Sequence, residues 1–254
     1  MKELFVSYHG LGDNILLTPV LRKYKEDNPE VSIGFTHLRR LPVNELLGGC
    51  PYIDEFVPVS DAWNDFGDVN VGFNAVMEEA SIYARNNGYG KVTAITTSPN
   101  FGITHKIHRA AHELGLAVSD YKTEIFPKIT DDVRMEADKF LESVEEPYVF
   151  LHLKTGNPPK DINKGVIANF LSDISPMQTI EYGSKSIPAH HLPLGNIPLE
   201  MEILSRCSQV VCADSFIMHA ACALGIPTVA IFISTLPEWV IPLHNVNIEI
   251  YKRI

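Results

Sequence analysis

Long hydrophobic runs are missing from this chain. No window approaches the roughly 18 uninterrupted apolar residues of a membrane span, and the most apolar stretch, around Ile217 to Phe232, is broken by His219, Gly225 and Pro227. The opening MKELFVSYHGLGDN reaches glycine, aspartate and asparagine before any apolar core of the kind a signal peptide requires. A cytoplasmic protein with no integral membrane segment is expected. Cysteine is scarce too. Cys50, Cys207, Cys212 and Cys222 lack CxxC spacing and lie mostly in apolar runs, which predicts packed, reduced thiols and argues against a zinc or disulfide framework. Positive charge falls short of negative, 21 Lys and Arg against 31 Asp and Glu, and the formal net charge of −10 repels a nucleic-acid backbone. Nucleic acid is therefore not an expected partner. The local basic spots, Arg39-Arg40 and His105-Lys106-Ile107-His108-Arg109, are read as solvated surface charge, with contact to a phosphate or an acidic acceptor as the alternative.

What is present is the composition of an ordinary folded protein, 45% hydrophobic and 20% charged. A length of 254 residues suits one large α/β domain or two small ones. Leu4 to Tyr8 forms an apolar run that stops at a glycine turn and gives way to the apolar positions Ile15, Leu16, Leu17, Val20 and Leu21, a strand followed by an amphipathic helix. Further strands are expected at Val31 to Thr36, Phe56 to Val59 and Lys91 to Thr97, and a helix from Ile107 to Leu116 ends at Gly115. The character changes between Asp120 and Asp131, where the connection between two domains is placed, residues 1–125 and 126–254. After a helix from Asp131 to Val144 the second half repeats the pattern. Strands are expected at Tyr148 to Leu153, Gln178 to Tyr182, Val210 to Cys212 and Thr228 to Phe232, with helices at Gly165 to Ser172, Leu199 to Arg206 and Ile217 to Leu224. Strands alternating with helices imply parallel sheets, hence two Rossmann-like lobes with a cleft between them.

Two segments carry the chemistry. His9-Gly10-Leu11-Gly12-Asp13-Asn14 joins the first strand to the first helix, where glycines let a substrate approach the backbone. Ile15 stands where a dinucleotide fingerprint has its third glycine, and no ribose-binding acid closes the second strand, so NAD is a weak reading. Asp13 has two readings, an N-cap of the helix or a reacting carboxylate. The second segment, Val210 to Ala230, is strand, acidic turn at Asp214-Ser215-Phe216, small-residue helix, Gly225-Ile226-Pro227 and strand. The free N–H groups and dipole of such a helix favour an anion, so a diphosphate beside Asp214, Ser215 and Phe216 is natural, with Asp214 as cap; a capped helix with no ligand is the alternative.

Both segments resemble glycosyltransferase family nine, the ADP-heptose:lipopolysaccharide heptosyltransferases. Gly12 to Arg22 (GDNILLTPVLR) is similar to that family's opening signature, Asn28-Pro29 to its break before the second strand, and Pro51-Tyr52-Ile53-Asp54 to its PYID element. His105 to Gly115, then Asp214-Ser215 with His219 and the run Ala223 to Phe232, follow in the family's order. The resemblance implies an α/β GT-B fold, two Rossmann-like domains with parallel sheets facing a central cleft, the first binding the acceptor and the second the donor. It implies an inverting displacement without metal or other cofactor, with a nucleotide diphosphate sugar, ADP-heptose being one candidate, as co-substrate. The expected partners are that donor and a glycan or lipid-linked glycan acceptor, met where the protein touches a membrane surface during lipopolysaccharide biosynthesis.

Carried onto this chain, Asp13 is the general base, flanked by Gly10, Gly12 and Asn14 on the acceptor-side loop. Lys164 fits the spacing of the family's phosphate lysine, with Lys160 also in reach. Thr155, Gly156, Asp214, Ser215, Phe216 and His219 complete the donor site. Phe216 departs from the family by replacing a glycine, the acid that often holds the nucleoside after Gly183 is missing, and the stretch after the last strand is reduced to Ile233 to Glu238. A shortened C-terminus without the full crossing helix is expected. Two other functions stay open: a catalytically silent nucleotide-sugar binding protein of the same fold, and a nucleotide-sugar epimerase.

Overall fold

The computed structural model describes residues 1–60, 69–95, 105–163, 165, 167, 177–185, 188–244 and 246–252. It divides into two compact units, Met1–Tyr121 and Lys122–Ile254. Lys164, most of the helix expected at Gly165 to Ser172, and the end of the strand expected to reach Thr97 lie outside the described residues.

In the first unit β1 (Lys2–Val6), β2 (Ser32–Leu38), β3 (Glu55–Val59) and β4 (Lys91–Ala94) form a parallel sheet in the order β3-β2-β1-β4. The helices are α1 (Leu11–Leu16), α2 (Thr18–Asp27), α3 (Val43–Leu47), α4 (Val69–Asn86) and α5 (Lys106–Glu113). The alternation of side chains along β1 explains why the strand is apolar throughout. Leu4 and Val6 pack on Val76, Ala80 and Ala84 of α4, while Phe5 points the other way and meets Tyr24 of α2 edge-on at 4.8 Å between centroids. Glu3, also buried, is satisfied by the Tyr24 hydroxyl, by Thr93 Oγ1 at 2.6 Å and by Lys91 Nζ at 2.7 Å. Burial opposes its charge, but these donors outweigh it and hold the carboxyl below its usual range.

The break between α1 and α2 follows from one residue. Pro19 has no N–H to give the carbonyl of Ile15, and the Thr18 hydroxyl donates to that carbonyl at 2.8 Å instead. Two of the family-like elements turn out to be scaffolding. The Asp54 carboxylate accepts the Ile33 N–H at 2.7 Å and so ties the start of β3 to β2, and Asn28 Nδ2 closes α2 by donating to Tyr24 O at 2.9 Å.

In the second unit β5 (Tyr148–His152), β6 (Gln178–Tyr182), β7 (His190–Leu192), β8 (Gln209–Ala213), β9 (Thr228–Phe232) and β10 (Ile248–Lys252) form a parallel sheet in the order β10-β9-β8-β5-β6-β7. Its helices include α6 (Asp131–Leu141), α7 (Ile197–Ser205) and α8 (Phe216–Ala223). Thr130 caps α6 and Asn196 caps α7 through side-chain oxygens, as expected of their residue types. α8 stops at Gly225, whose φ of 75° lets the Ile226 N–H return to Ala221 O at 3.0 Å. The core over one face gathers Val149, Leu151, Val211, Ala213, Val229 and Ile231 from three adjacent strands.

All four cysteines are buried and free. No helix among the described residues is long and apolar enough to cross a membrane.

Strand order fixes where ligands can sit. In the first sheet the chain builds outward from β1 through β2 to β3, then returns to place β4 on the other side of β1. The second sheet does the same from β5, through β6 and β7, before β8 lands on the opposite side. In a parallel sheet the crevice lies beyond the carboxyl ends of the two strands flanking such a switch point. Each unit therefore has one, at β1/β4 and at β5/β8.

Candidate functional site

At the β1/β4 switch point the turn after β1 leads straight into α1. Gly10, in extended backbone, is the N-cap residue, and Gly12, Asp13 and Asn14 form the first turns of the helix. Asp13 is therefore not the cap that one sequence reading made of it. Its carboxylate forms an ion pair with Lys106 Nζ, which stands at the start of α5 beyond β4; both side chains are 19% exposed. Asn14 is fully buried. It donates from Nδ2 to Gly10 O at 3.0 Å and accepts the Ser7 hydroxyl at Oδ1 at 2.7 Å, so it braces the turn. Beside it His9 lies against the Tyr8 ring, centroids 4.2 Å apart. Burial pushes its imidazole down to about 4, with Lys106 pushing the same way and Asp13 and Glu113 opposing, so His9 is neutral at physiological pH. The basic run read as solvated surface charge is thus engaged on two counts, since Arg109 is buried and bonds Glu113 at 3.0 Å while Lys106 meets Asp13.

At the β5/β8 switch point Lys160 Nζ meets Asp214 Oδ2 at 2.6 Å; the carboxylate is 5% exposed and the lysine 28%. The lysine comes from a short 3₁₀ turn, Pro158–Lys160, that follows β5, and the acid from the end of β8. The N-cap of α8 is Ser215, not Asp214. Its hydroxyl makes no capping bond and stands 2.8 Å from Nδ1 of His152 at the end of β5. His152 is 4% exposed, packed between Tyr182 and Phe216, and burial pushes its imidazole down to about 4. Phe216 turns its ring toward His152 and Tyr182. His219 is buried within α8.

The loop between β5 and Lys160 is folded on Asp161. Its carboxylate accepts the Thr155 N–H at 2.7 Å and Lys154 Nζ at 3.3 Å; burial works against its charge, but these bonds hold it below the usual carboxylate range. The Thr155 hydroxyl also donates within the loop, to Asn157 O at 2.7 Å. Thr155 thus shapes the loop, while open space surrounds the position a side chain at Gly156 would take. Next to this crevice, beyond β6 and β7, lies a largely apolar cavity of about 440 Å³ lined by Gly183, Ser184, Lys185, His191, Leu192 and Leu194. Among the described residues no three His, Cys, Asp or Glu side chains gather to hold a metal ion.

Sequence reasoning placed Asp13, Lys160, Asp214 and Ser215 on the loops that the structure puts at the switch points. It missed the partnership of Lys106 with Asp13 and the ordering role of Asp161.

Residues 178–252 match the sequence profile of Glycosyltransferase family 9 (heptosyltransferase). Among solved structures the chain is similar to the family 9 glycosyl transferase of Veillonella parvula DSM 2008, with a TM-score of 0.74 and 16% identity over 99% of this chain and 86% of that one. It is similar to E. coli ADP-heptose lps heptosyltransferase II, at TM-score 0.68 and 15% identity over 100% and 91%. It is also similar to E. coli heptosyltransferase WaaC solved with ADP, at 0.64 and 14% over 99% and 93%. No curated protein sequence matches. The structural likenesses carry the fold, and the profile match carries the family over the segment from β6 to β10. Together they give this chain the two-sheet α/β fold of those solved glycosyltransferases and a match to glycosyltransferase family 9 over residues 178–252.

Proposed function

We propose that this glycosyltransferase moves a heptose-like sugar from a nucleotide diphosphate donor to a hydroxyl of a glycan or lipid-linked glycan, with inversion and without a metal ion. The observation that carries this reading is Lys160 held against Asp214 at the N-terminus of α8. Breaking the bond between the anomeric carbon and the phosphate oxygen leaves an electron pair and growing negative charge on the departing diphosphate. A lysine and a helix N-terminus are suited to stabilise that charge, the work a metal ion does in other transferases. Asp214 then holds the lysine in place. Lys164, expected from spacing to fill the same role, lies outside the described residues, and the pairing with Asp214 favours Lys160. The apolar cavity beyond β6 and β7 suits the nucleoside, and both E. coli relatives are heptosyltransferases, one solved with ADP.

On the first unit Asp13 takes the acceptor proton as the hydroxyl oxygen bonds to the anomeric carbon. The carboxylic acid so formed returns its proton to solvent. A positioned base of this kind contributes typically about 10²–10⁴-fold. Single displacement inverts the anomeric centre. Phe216 keeps the silent-binder reading in view, because its ring stands where the resemblance implies a glycine and bare backbone.

The test is turnover of ADP-heptose in EDTA with a lipopolysaccharide core glycan as acceptor, the product's anomeric configuration being read by proton NMR. The expected product has the configuration opposite to the donor's, at a rate that added divalent ion does not change. Retention, or turnover that EDTA abolishes and a divalent ion restores, contradicts the proposal.

A further inference from the structure

The Ser215 hydroxyl does not do what its place in the helix invites. A serine at an N-cap ordinarily accepts the N–H of the second or third helical residue, here Ile217 or Met218, and so closes the helix end. At α8 the Met218 N–H turns back to the Ser215 carbonyl at 3.1 Å, and the serine side chain makes no capping bond. Its Oγ stands instead 2.8 Å from Nδ1 of His152, 63 positions earlier at the end of β5. The imidazole is 4% exposed and held from two sides, by Tyr182 with ring centroids 5.1 Å apart and by Phe216 at 6.3 Å. The chain thus forgoes a local cap for a bond that exists only because β5 and β8 are neighbours in the sheet. This happens at the β5/β8 switch point, where Asp214, the residue before Ser215, holds Lys160. First-turn N–H groups without a side-chain oxygen carry partial positive charge out of the helix end, and an oxyanion can take them where a capping hydroxyl would already sit.

We propose that His152 is a positioning residue for the donor's diphosphate: it holds the Ser215 hydroxyl off the end of α8 and so leaves the first-turn N–H groups to the phosphate oxygens. This rests on the reading of the second unit as the donor site. His152 acts through Ser215 and not by contact with the ligand. Either tautomer serves, since the bond keeps Oγ in place whether Nδ1 donates or accepts. Without the imidazole the hydroxyl swings onto the Ile217 or Met218 N–H, the helix gains the cap it lacks, and the diphosphate meets an occupied site.

The experiment titrates ADP in EDTA into the full chain and into His152→Phe, His152→Leu, His152→Asn and the double variant His152→Phe with Ser215→Ala, and follows amide hydrogen exchange at Ile217. His152→Phe and His152→Leu, which leave the hydroxyl without its partner, are expected to bind ADP about five- to tenfold more weakly while the Ile217 amide exchanges more slowly. His152→Asn, whose amide reaches about as far as Nδ1, is expected to keep most of the affinity. Adding Ser215→Ala to His152→Phe removes the competing oxygen and is expected to recover part of the lost binding. A merely structural histidine gives the opposite signs, a looser helix end and a double variant that binds no better than His152→Phe. In the parent the Ile217 amide is expected to slow when ADP is added, a readout that needs no substitution, and an amide indifferent to bound ADP contradicts the proposal. If the parent binds ADP and His152→Phe or His152→Leu binds it equally well, or if Ser215→Ala weakens His152→Phe further, the positioning role is wrong and the donor site stands. If the parent binds no ADP, the donor reading fails and the positioning role falls with it.

Discussion

His152 illustrates how much one side chain can report. It ends β5, is 4% exposed and shares its Nδ1 with the Ser215 hydroxyl. Burial lowers its pKa from an ordinary 6.5 to about 4. The unfolded chain therefore takes up a proton at a pH where the folded chain does not. Above pH 6.5 both forms are neutral and the group has no effect; as pH falls from 6.5 toward 4 the unfolded state gains and stability is lost, by up to about 3 kcal/mol. Denaturant midpoints measured across this window are expected to fall for the parent and to run flatter for His152→Phe. Parallel curves for the two proteins would show that the imidazole is solvated rather than buried. His9, depressed to a similar value on the first unit, contributes in the same direction and remains in both proteins.

At the scale of elements, the Thr18-Pro19 pair decides the shape of the entry to the first unit. Thr18 is fully buried and its hydroxyl replaces the N–H that Pro19 lacks. Thr18→Val keeps the size and shape but leaves the Ile15 carbonyl without that donor, at an expected cost of about 1–3 kcal/mol. Urea unfolding measures it, and a change below a few tenths would mean that another group satisfies the carbonyl.

The elements with strong local signals were legible in the sequence. β6 and β9 have the predicted limits, and β8 and α8 differ by a residue or so, because an apolar β-branched run bounded by turn residues leaves few alternatives. α4 escaped even though Phe73, Val76, Met77, Ala80, Tyr83 and Ala84 follow a helical spacing, since Asn70, Gly72 and Asn74 mask its start. β7, three residues with two histidines, carries almost no apolar pattern, and β10 is exposed along most of its length. Such strands form because a neighbour offers an edge, and an edge is not written locally.

At the scale of the molecule, the two units repeat one device. Each brings an acid and a lysine together at its switch point, Asp13 in the first turn of α1 with Lys106 at the start of α5, and Lys160 after β5 with Asp214 just after β8. The residue types at these loops could be read from the sequence, which is why Asp13, Asp214 and Ser215 stood out beside their glycines and small-residue helix. Their partners could not, because the pairs span 93 and 54 positions and only the strand order decides that they meet. Lys106 was visible only as one member of a basic run, and nothing local separates a cation that grips a carboxylate from one that faces water. Spacing alone favoured Lys164 with Lys160 also in reach, and the pairing with Asp214 is what draws attention to Lys160.

The central claim is a metal-independent donor site at the second of these switch points, and titration of ADP into the full chain in EDTA tests it most directly, by calorimetry and by thermal shift, with Lys160→Ala alongside. ADP at about 100 times its dissociation constant is expected to add roughly 2.7 kcal/mol of stability. Lys160→Ala is expected to weaken binding about tenfold or more, in keeping with the loss of a charged hydrogen bond worth about 1.5–3 kcal/mol. Binding that survives EDTA and weakens in that variant is the predicted result. No binding of ADP, binding that requires a divalent ion, or binding indifferent to Lys160→Ala would contradict it.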